Sequence, residues 1–317
     1  MFTCPTPACS DPRYRVSDYI SVSMGSRGPS NSTTTPSTVL IVRPTALGDV
    51  CRTVPALATL RRALPRARID WLVHESFQDA VRHHPALDEV IRFPRQRFAT
   101  MAYNLRAAAD AWEWAKQLRQ RRYDLAIDLQ GLVRSGLLTF LTGSSNRVGF
   151  ANARELGWLG YNRRYRIDRD LHSVDRMLGL VDAHGYEPIR DTRLYLGPDD
   201  RRWLQARLEQ SEHQPYAAIA PTARWRCKCW PIDRYGELIE RLLERRDLPR
   251  PINHAVVLAT PKEESQIEPL RQRFAGERRV EFARTNVGQL MAVISGCNLL
   301  VCNDSAPLHM GVGFARP

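Results

Sequence analysis

Long apolar runs, glycine-rich phosphate motifs and an even set of cysteines are all missing from this chain of 317 residues. No apolar run approaches the roughly 18 residues that a membrane-spanning helix needs, which excludes such a helix. Neither G-x-G-x-x-G nor G-x-x-x-x-G-K-[ST] follows a predicted strand, which weighs against a nicotinamide dehydrogenase and a P-loop NTPase. The cysteines number seven, and several lie in apolar strand or helix patterns. This count argues against a secreted disulfide framework and favours a cytoplasmic protein.

Lysine is also scarce, so the positive charge of the chain is carried by arginine. Lysine and arginine together number 46 against 34 aspartates and glutamates, only three of the cations are lysines, and the formal net charge is +12. An arginine-rich codon composition and a preference for anionic partners explain this surplus equally well. As a functional signal, it favours phosphates, acidic sugars, a membrane surface or nucleic acid. We expect no nucleic-acid partner, because no aromatic–basic interleaving or nucleic-acid module accompanies the charge.

The chain divides into a polar start and a long patterned remainder. Residues 1–37 are rich in Ser, Thr and Pro and lack the apolar core of a secretory signal, which predicts a disordered tail. From residue 38 onward, short apolar runs alternate with segments of helical period. We predict strands at 38–43, 68–73, 89–93, 123–129, 216–220, 255–258 and 298–301, and helices at 50–64, 98–122, 132–141, 171–184, 235–243, 263–274 and 287–295.

This alternation is typical of βαβ units and predicts an α/β fold with doubly wound parallel sheets. The two series of strands predict two Rossmann-like domains, at residues 38–188 and 189–317, that face each other across a cleft. Ligands of such folds bind at the carboxyl ends of the strands. Because the chain stops soon after its last predicted strand, we expect the second domain to be incomplete at its C-terminal end.

The loop after the first predicted strand carries a carboxylate at the start of a helix. Gly48 permits a tight turn there, and Asp49 lies where the helix dipole keeps a carboxylate ionised. Asp49 is either a helix cap or a general base that takes a proton from a hydroxyl. The dipole weakens Asp49 as a base, but a late proton transfer tolerates that.

Two loops of the second half carry groups that suit an anion. Residues 221–231 place Thr222, Arg224 and Lys228 between a strand and a helix, either as phosphate ligands or as a solvated surface loop. Residues 303–309 lead into another helix. This loop is either a simple helix cap or an anion site formed by the backbone N–H groups at the start of that helix. Ser305 adds a hydroxyl to that loop, and His309 adds a switchable donor. Cys227 and Cys229 form a lone C-x-C pair, so we expect no metal site.

Taken together, these loops resemble those of glycosyltransferase family 9, the ADP-heptose:lipopolysaccharide heptosyltransferases, and most closely the heptosyltransferase I type. Residues 47–57 (L-G-D, then T-V-P-A-L) resemble the N-terminal signature of that family, and residues 128–135 (DLQGLVRS) resemble its D-x-Q-G-x-x-[KR]-S element. Further matches are 153–155 with 161–163, HSVDR at 172–176, KCWP at 228–231, and NDSAPLH at 303–309. Ala306 replaces the usual glycine of that last loop.

The resemblance implies a GT-B fold and a metal-independent, inverting sugar transfer that needs no cofactor, because the ADP-sugar is itself a substrate. It implies that Asp49 is the catalytic base. The donor would be held by Thr222, Arg224, Lys228, Glu263, Asp304, Ser305, Ala306 and His309. The acceptor, an acidic Kdo-bearing inner core linked to lipid A, would be met by Arg43, Arg61, Arg62, Arg154 and Arg163.

Three other readings stay open at this point. The same phosphate chemistry suits a GT-B enzyme with another nucleotide-sugar donor. An inactive fragment that only binds nucleotide or anionic glycolipid is compatible with an incomplete second domain. Finally, Arg61, Arg62, Arg66 and Arg68 form a basic cluster that is either a solvated face or a peripheral contact with the cytoplasmic face of the inner membrane.

Overall fold

The computed structural model describes residues 35–210, 212, 214–245, 251–261 and 263–317. The predicted tail therefore lies outside the described residues except for its last three. Two parallel sheets are present, one in each half of the chain, as the alternating pattern predicts. None of the helices in the described ranges combines the length and the apolar character that crossing a membrane requires.

The first sheet has six parallel strands in the order β3-β2-β1-β4-β5-β6. Its strands are β1 (Thr38–Val42), β2 (Arg68–His74), β3 (Glu89–Phe93), β4 (Leu125–Asp128), β5 (Asn146–Phe150) and β6 (Arg163–Tyr165). The helices of this half are α1 (Leu47–Ala63), α2 (Arg95–Phe98), α3 (Leu105–Gln120), α4 (Val133–Leu141) and α5 (Ser173–Ala183). The central strands are buried on both faces, which is why they are continuous apolar runs in the sequence.

The second sheet has four parallel strands in the order β10-β7-β8-β9. Its strands are β7 (Tyr216–Ala220), β8 (His254–Ala259), β9 (Val280–Arg284) and β10 (Leu299–Cys302). The helices are α6 (Pro198–Gln210), α7 (Ile232–Glu244), α8 (Glu264–Arg273), α9 (Val287–Gly296) and α10 (Ala306–Gly313).

The two halves share part of their core. One apolar cluster runs from the α1 and α5 side of the first sheet to α9 and α10 of the second half, and it includes Val54, Met177, Met291 and Met310. The opposite face of the first sheet packs separately, against α3 and α4. The first sheet therefore has one face directed toward the second half and one face directed away from it.

Most differences from the predicted elements occur in elements that are short or rich in polar residues. The predicted helix 98–122 is wrong as a single element. Two helices, α2 and α3, replace it, because the Asn104 side chain caps the start of α3 by accepting hydrogen bonds from the N–H groups of Arg106 (3.0 Å) and Ala107 (3.2 Å). Helix α1 begins three residues earlier than predicted, which places Asp49 inside its first turn. Strands β5, β6 and β9 are short and carry charged residues, so they give no apolar run.

Candidate active site

The two halves meet where helix α1 and helix α10 begin. A Cβ placed on Gly48 would lie 2.9 Å from Cδ2 of His309 and 3.4 Å from Cα of Ala306. Gly48 therefore lets the first turn of α1 approach the loop that follows β10. Because a helix N-terminus carries positive partial charge, two such ends at one place favour an anion between them.

Asp49 lies at this meeting point and is held by two arginines. Its Oδ2 accepts a hydrogen bond from the Ala46 N–H (3.3 Å) and pairs with Nη2 of Arg43 (3.2 Å), while Oδ1 pairs with Arg52. Burial acts to raise the pKa of Asp49, but the charges of Arg43 and Arg52 and the Ala46 hydrogen bond outweigh it, so the pKa is lowered. With 27% of the side chain exposed, Asp49 is an ionised carboxylate that a substrate can still reach.

A cluster of arginines lies beside Asp49 on the first half. Arg43 is buried and donates from Nη1 to the Leu129 carbonyl. Burial lowers the pKa of Arg176, and the neighbouring charges of Arg169, Arg154 and Arg43 lower it further. Among the described residues, the buried Nε atoms of Arg43 and Arg176 have no hydrogen-bond partner. Unpaired donors and mutually repelling cations make this cluster suited to an acidic ligand.

The loop after β4 positions the loop that precedes Asp49. The buried carboxylate of Asp128 accepts hydrogen bonds from the N–H groups of Gln130 (2.7 Å) and Gly131 (3.1 Å) and from the Tyr161 hydroxyl (2.5 Å). Gln130 then pairs with Thr45, accepting from its N–H at 3.1 Å and donating to its Oγ1 at 3.2 Å. The DLQGLVRS element thus holds the start of α1 in place.

On the second half, Asn303 joins two of the predicted loops. Its Oδ1 accepts from the Trp230 N–H (3.0 Å) and the Tyr235 hydroxyl (2.9 Å), and its Nδ2 donates to the Pro221 carbonyl (2.7 Å). The adjacent Asp304 pairs through Oδ2 with Nζ of Lys228 at 2.5 Å. The hydrogen bond from Lys228 lowers the pKa of Asp304. The structure therefore brings the 221–231 and 303–309 loops together.

The remaining donor-side residues lie around this junction. Thr222 is buried at the end of β7, Ser305 precedes the first turn of α10, and Ala306 begins that helix. His309 is half-buried. Burial and the charge of Arg52 lower the pKa of His309, while Asp304 and Asp49 act against that change. His309 therefore lies near the carboxylates of both halves, Asp49 and Asp304.

Two predicted donor residues lie farther from Asp49. Glu263 follows β8, the neighbour of β7, and accepts from the N–H (3.1 Å) and Oγ1 (2.6 Å) of Thr260. Arg224 is exposed, with its guanidinium 5.4 Å from the ring of Trp225. Both lie at the carboxyl edge of the second sheet, the edge at which such sheets bind ligands.

The predicted acceptor residues are only partly brought together. Arg43 contacts Asp49, and Arg154 lies beside Arg176. Arg61 and Arg62 are on the last turn of α1, about 18 Å along the helix axis from Asp49, and pair with Asp88 and Glu187. Arg163 begins β6, three strands from β1, and its charge acts on His184. The structure does not bring Arg61, Arg62 or Arg163 to Asp49, because a basic residue in the sequence carries no information about which sheet edge it occupies.

Three contributors were missed by sequence reasoning. Arg52 follows Asp49 by one helical turn, and that spacing is the signal that could have identified it. Arg176 and Asn303 lie inside motifs that resemble the family, but their unpaired or bridging roles depend on the folded chain. Within the described ranges, no group of three or more His, Cys, Asp or Glu side chains could hold a metal ion.

Comparison with known proteins gives consistent matches. A family model described as glycosyltransferase family 9 (heptosyltransferase) matches residues 111–317. Lipopolysaccharide heptosyltransferase 1 of Salmonella typhimurium is 28% identical over 286 residues, which is 88% of this chain and 86% of that protein. The protein of the same name from Pseudomonas aeruginosa is 31% identical over 210 residues, which is 65% of this chain and 58% of that protein.

Solved structures agree with these matches. The E. coli heptosyltransferase WaaC with ADP-2-deoxy-2-fluoro heptose is similar with a TM-score of 0.71 at 28% identity, over 88% of this chain and 87% of that one. The E. coli ADP-heptose lps heptosyltransferase II has a TM-score of 0.73 at 20% identity, over 88% and 83%, and supports the fold alone. The predicted two-sheet α/β fold is confirmed.

Proposed function

The chain belongs to glycosyltransferase family 9, the heptosyltransferases, and from this premise we propose that it moves a heptose from ADP-heptose to a hydroxyl of the lipopolysaccharide inner core. It is a glycosyltransferase with the GT-B fold. The observation that carries the proposal is the meeting of Asp49 on α1 with the 303–309 loop, at the boundary of the two halves. A base from one half thereby meets the diphosphate site of the other.

Asp49 acts in this proposal as the general base. Its carboxylate accepts the proton of the acceptor hydroxyl while the hydroxyl oxygen bonds to the anomeric carbon of the heptose. The bond between that carbon and the diphosphate oxygen breaks on the opposite face, so the configuration inverts. Proton transfer is late, because Arg43 and Arg52 lower the pKa of Asp49 and make it a weak base for an unreacted hydroxyl.

The second half stabilises the leaving ADP without a metal or another cofactor. Lys228 is a compact cation beside Asp304, and the N–H groups at the start of α10 point out of a helix N-terminus. Both act on the charge that builds on the diphosphate as the sugar leaves. Thr222, Ser305, Ala306 and His309 complete this side, and Arg224 and Glu263 are placed for the nucleoside.

The arginine cluster supplies the acceptor specificity. Arg43, Arg154, Arg169 and Arg176 crowd positive charge beside Asp49, and the buried Nε atoms of Arg43 and Arg176 have no hydrogen-bond partner among the described residues. An acidic sugar such as Kdo, linked to lipid A, satisfies those donors and relieves the repulsion. A lipid-linked acceptor also places the enzyme on the cytoplasmic face of the inner membrane.

The decisive experiment replaces Asp49 by Asn, which keeps the size and the hydrogen bond to Ala46 but removes the base. We expect kcat to fall by a factor of about 100 to 10,000, while the Kd for ADP measured by calorimetry changes by less than about twofold. Arg66→Gln, a charge change beyond the far end of α1, is the matched control. Normal turnover of Asp49→Asn would eliminate the assignment of the base.

A further inference from the structure

A group of exposed apolar side chains lies on the face of the first sheet that points away from the second half. Six large side chains on α3, on α4 and in the segment before α3 define it: Met101, Leu105, Trp112, Val133, Leu137 and Phe140, each at least half exposed. Leu105 and Trp112 are seven residues apart and therefore lie on one stripe of α3. Met101, Val133 and Leu137 line one cavity and therefore adjoin one another, and a group of exposed apolar side chains of this kind marks an interaction site. We call these six residues the apolar face.

A cavity opens within this face. It has a volume of about 450 Å³ and lies between the α2–α3 segment and α4. Its walls are almost entirely apolar, with Phe93, Phe98, Trp114 and Leu137 among them, and Arg95 and Arg134 are the charged residues of the lining. An apolar cavity that carries cations suits a ligand with a hydrocarbon chain and an anionic head.

The cations around the apolar face are available to such a head group. Arg95, Arg106 and Arg134 are exposed, and none of the described carboxylates lies within ion-pair distance of them. In the basic cluster at the far end of α1, three of the four arginines are paired: Arg61, Arg62 and Arg68 contact Asp88, Glu187 and Glu89. Unpaired arginines attract lipid phosphates more strongly than paired ones.

The apolar face also adjoins the acceptor side of the active site. Val133 and Arg134 begin α4 directly after the loop in which Gln130 pairs with Thr45. Thr45 precedes Asp49 by four residues, so the face begins at the same sheet edge as the catalytic base. A surface resting on this face therefore meets the first half at the sheet edge that carries Asp49.

We propose that the apolar face docks this protein on an anionic lipid bilayer, with its large side chains in the interface and Arg95, Arg106 and Arg134 on lipid phosphates. The inference rests on the proposed function, because a lipid-linked acceptor gives the docking its purpose. A second copy of this chain is the less suitable occupant, since a two-fold contact would bring the same unpaired arginines of both copies close together.

Vesicle co-sedimentation of the full chain tests the docking. We expect binding to vesicles of phosphatidylcholine with phosphatidylglycerol, and at least tenfold weaker binding for Leu105→Gln/Leu137→Gln and for Arg95→Gln/Arg106→Gln. The matched control, Arg62→Gln/Arg66→Gln, removes the same charge from the other basic cluster and should bind within twofold of the unaltered protein. Wild-type binding by the two face variants, or loss of binding by the control alone, overturns the proposal. The proposal is also overturned if the unaltered protein is a dimer and the variant Leu105→Gln/Leu137→Gln is a monomer, because the face would then be covered by a second copy of the chain.

An activity assay separates this inference from the proposed function. The variant Leu105→Gln/Leu137→Gln should transfer heptose to a water-soluble acceptor without acyl chains at the rate of the unaltered protein. On the lipid-linked acceptor in anionic vesicles, its transfer rate should fall at least tenfold. Equal loss on both acceptors, or no loss on vesicles, contradicts the docking. Absence of transfer by the unaltered protein to either acceptor contradicts the proposed function and leaves the vesicle-binding result to stand on its own.

Discussion

Asp49 combines two properties that oppose each other in a general base. Arg43 and Arg52 keep its carboxylate ionised despite partial burial, but the same charges reduce its affinity for a proton. The arrangement suits a reaction in which the acceptor oxygen has largely bonded to the sugar before its proton leaves. At the scale of single residues, we therefore expect the two arginines to set the pH range in which the proposed base is active.

Replacing Arg52 by Gln tests this balance. The base is active when ionised, so kcat falls as the pH drops through the pKa of Asp49. Loss of the Arg52 charge removes one cause of the lowered pKa, so the acidic limb of the kcat profile should move to higher pH. The measurement is kcat against pH at saturating donor, with Arg66→Gln as a control of equal charge change. An unmoved limb in Arg52→Gln would show that Asp49 is not the titrating base.

At the scale of elements, the approach of α1 to α10 depends on Gly48. We expect Gly48→Ala to fold, because its Cβ meets the movable ring of His309 at 2.9 Å. Moving that ring or the start of α10 should lower kcat/KM for the donor about tenfold or more, since small displacements of reacting groups are costly. Steady-state kinetics with varied donor measures the effect.

A double-variant cycle shows whether the contact is the cause. If the added methyl group acts through His309, then Gly48→Ala/His309→Ala should be no slower than His309→Ala alone. If the decrease in kcat/KM of the double variant equals the product of the two single decreases, Gly48 and His309 act independently. In that case the two helix starts would not be coupled through this contact.

The same elements show what the sequence could predict. Strand β1, the loop at Asp49 and the loops after β7 and β10 follow from apolar runs that end in polar residues, and parallel strands bring such ends to one edge. The pairing of Asp49 with Arg52 could have been predicted from their i, i+3 spacing on a helix. The position of His309 beside Arg52 was not, because it depends on how two separate sheets pack. Strand β6 was missed because its three residues, RRY, have no apolar pattern.

The apolar face illustrates the same limit for a whole helix. Helix α3 carries two apolar stripes: Ala111, Trp114 and Leu118 pack toward the first sheet, whereas 89% of Leu105 and 74% of Trp112 are exposed. The apolar pattern alone does not decide which of two such stripes meets the sheet.

At the scale of the whole molecule, the segment that connects the two halves contacts both of them through Leu194 and Tyr195. Leu194 donates its N–H to the Gly313 carbonyl at the end of α10 (3.0 Å), and Tyr195 packs edge-on against His84 of the first half, with ring centroids 4.8 Å apart. His84 is buried, its Nδ1 accepts from the Ala86 N–H (3.1 Å), and its Nε2 has no partner among the described residues. Protonating this imidazole puts a charge into the junction.

This predicts a loss of stability in mild acid. Burial lowers the pKa of His84 from 6.5 to about 4, so the unfolded chain binds a proton before the folded chain does. The contribution of neutral His84 is complete above pH 6.5 and is lost as the pH falls toward 4. By pH 5 the loss amounts to about 2 kcal/mol in the free energy of unfolding. Denaturant titrations at pH 7 and pH 5 measure it.

His84→Gln should reduce that pH dependence by about the same 2 kcal/mol, even though the variant loses some packing at pH 7. A core change without an ionisable group, Ile127→Val, provides the comparison, because it lowers stability equally at both pH values. If His84→Gln loses as much stability between pH 7 and pH 5 as the unaltered protein, the neutral imidazole is not what makes the junction acid-sensitive. His184, whose pKa burial also lowers to about 4, would then be the next candidate to replace.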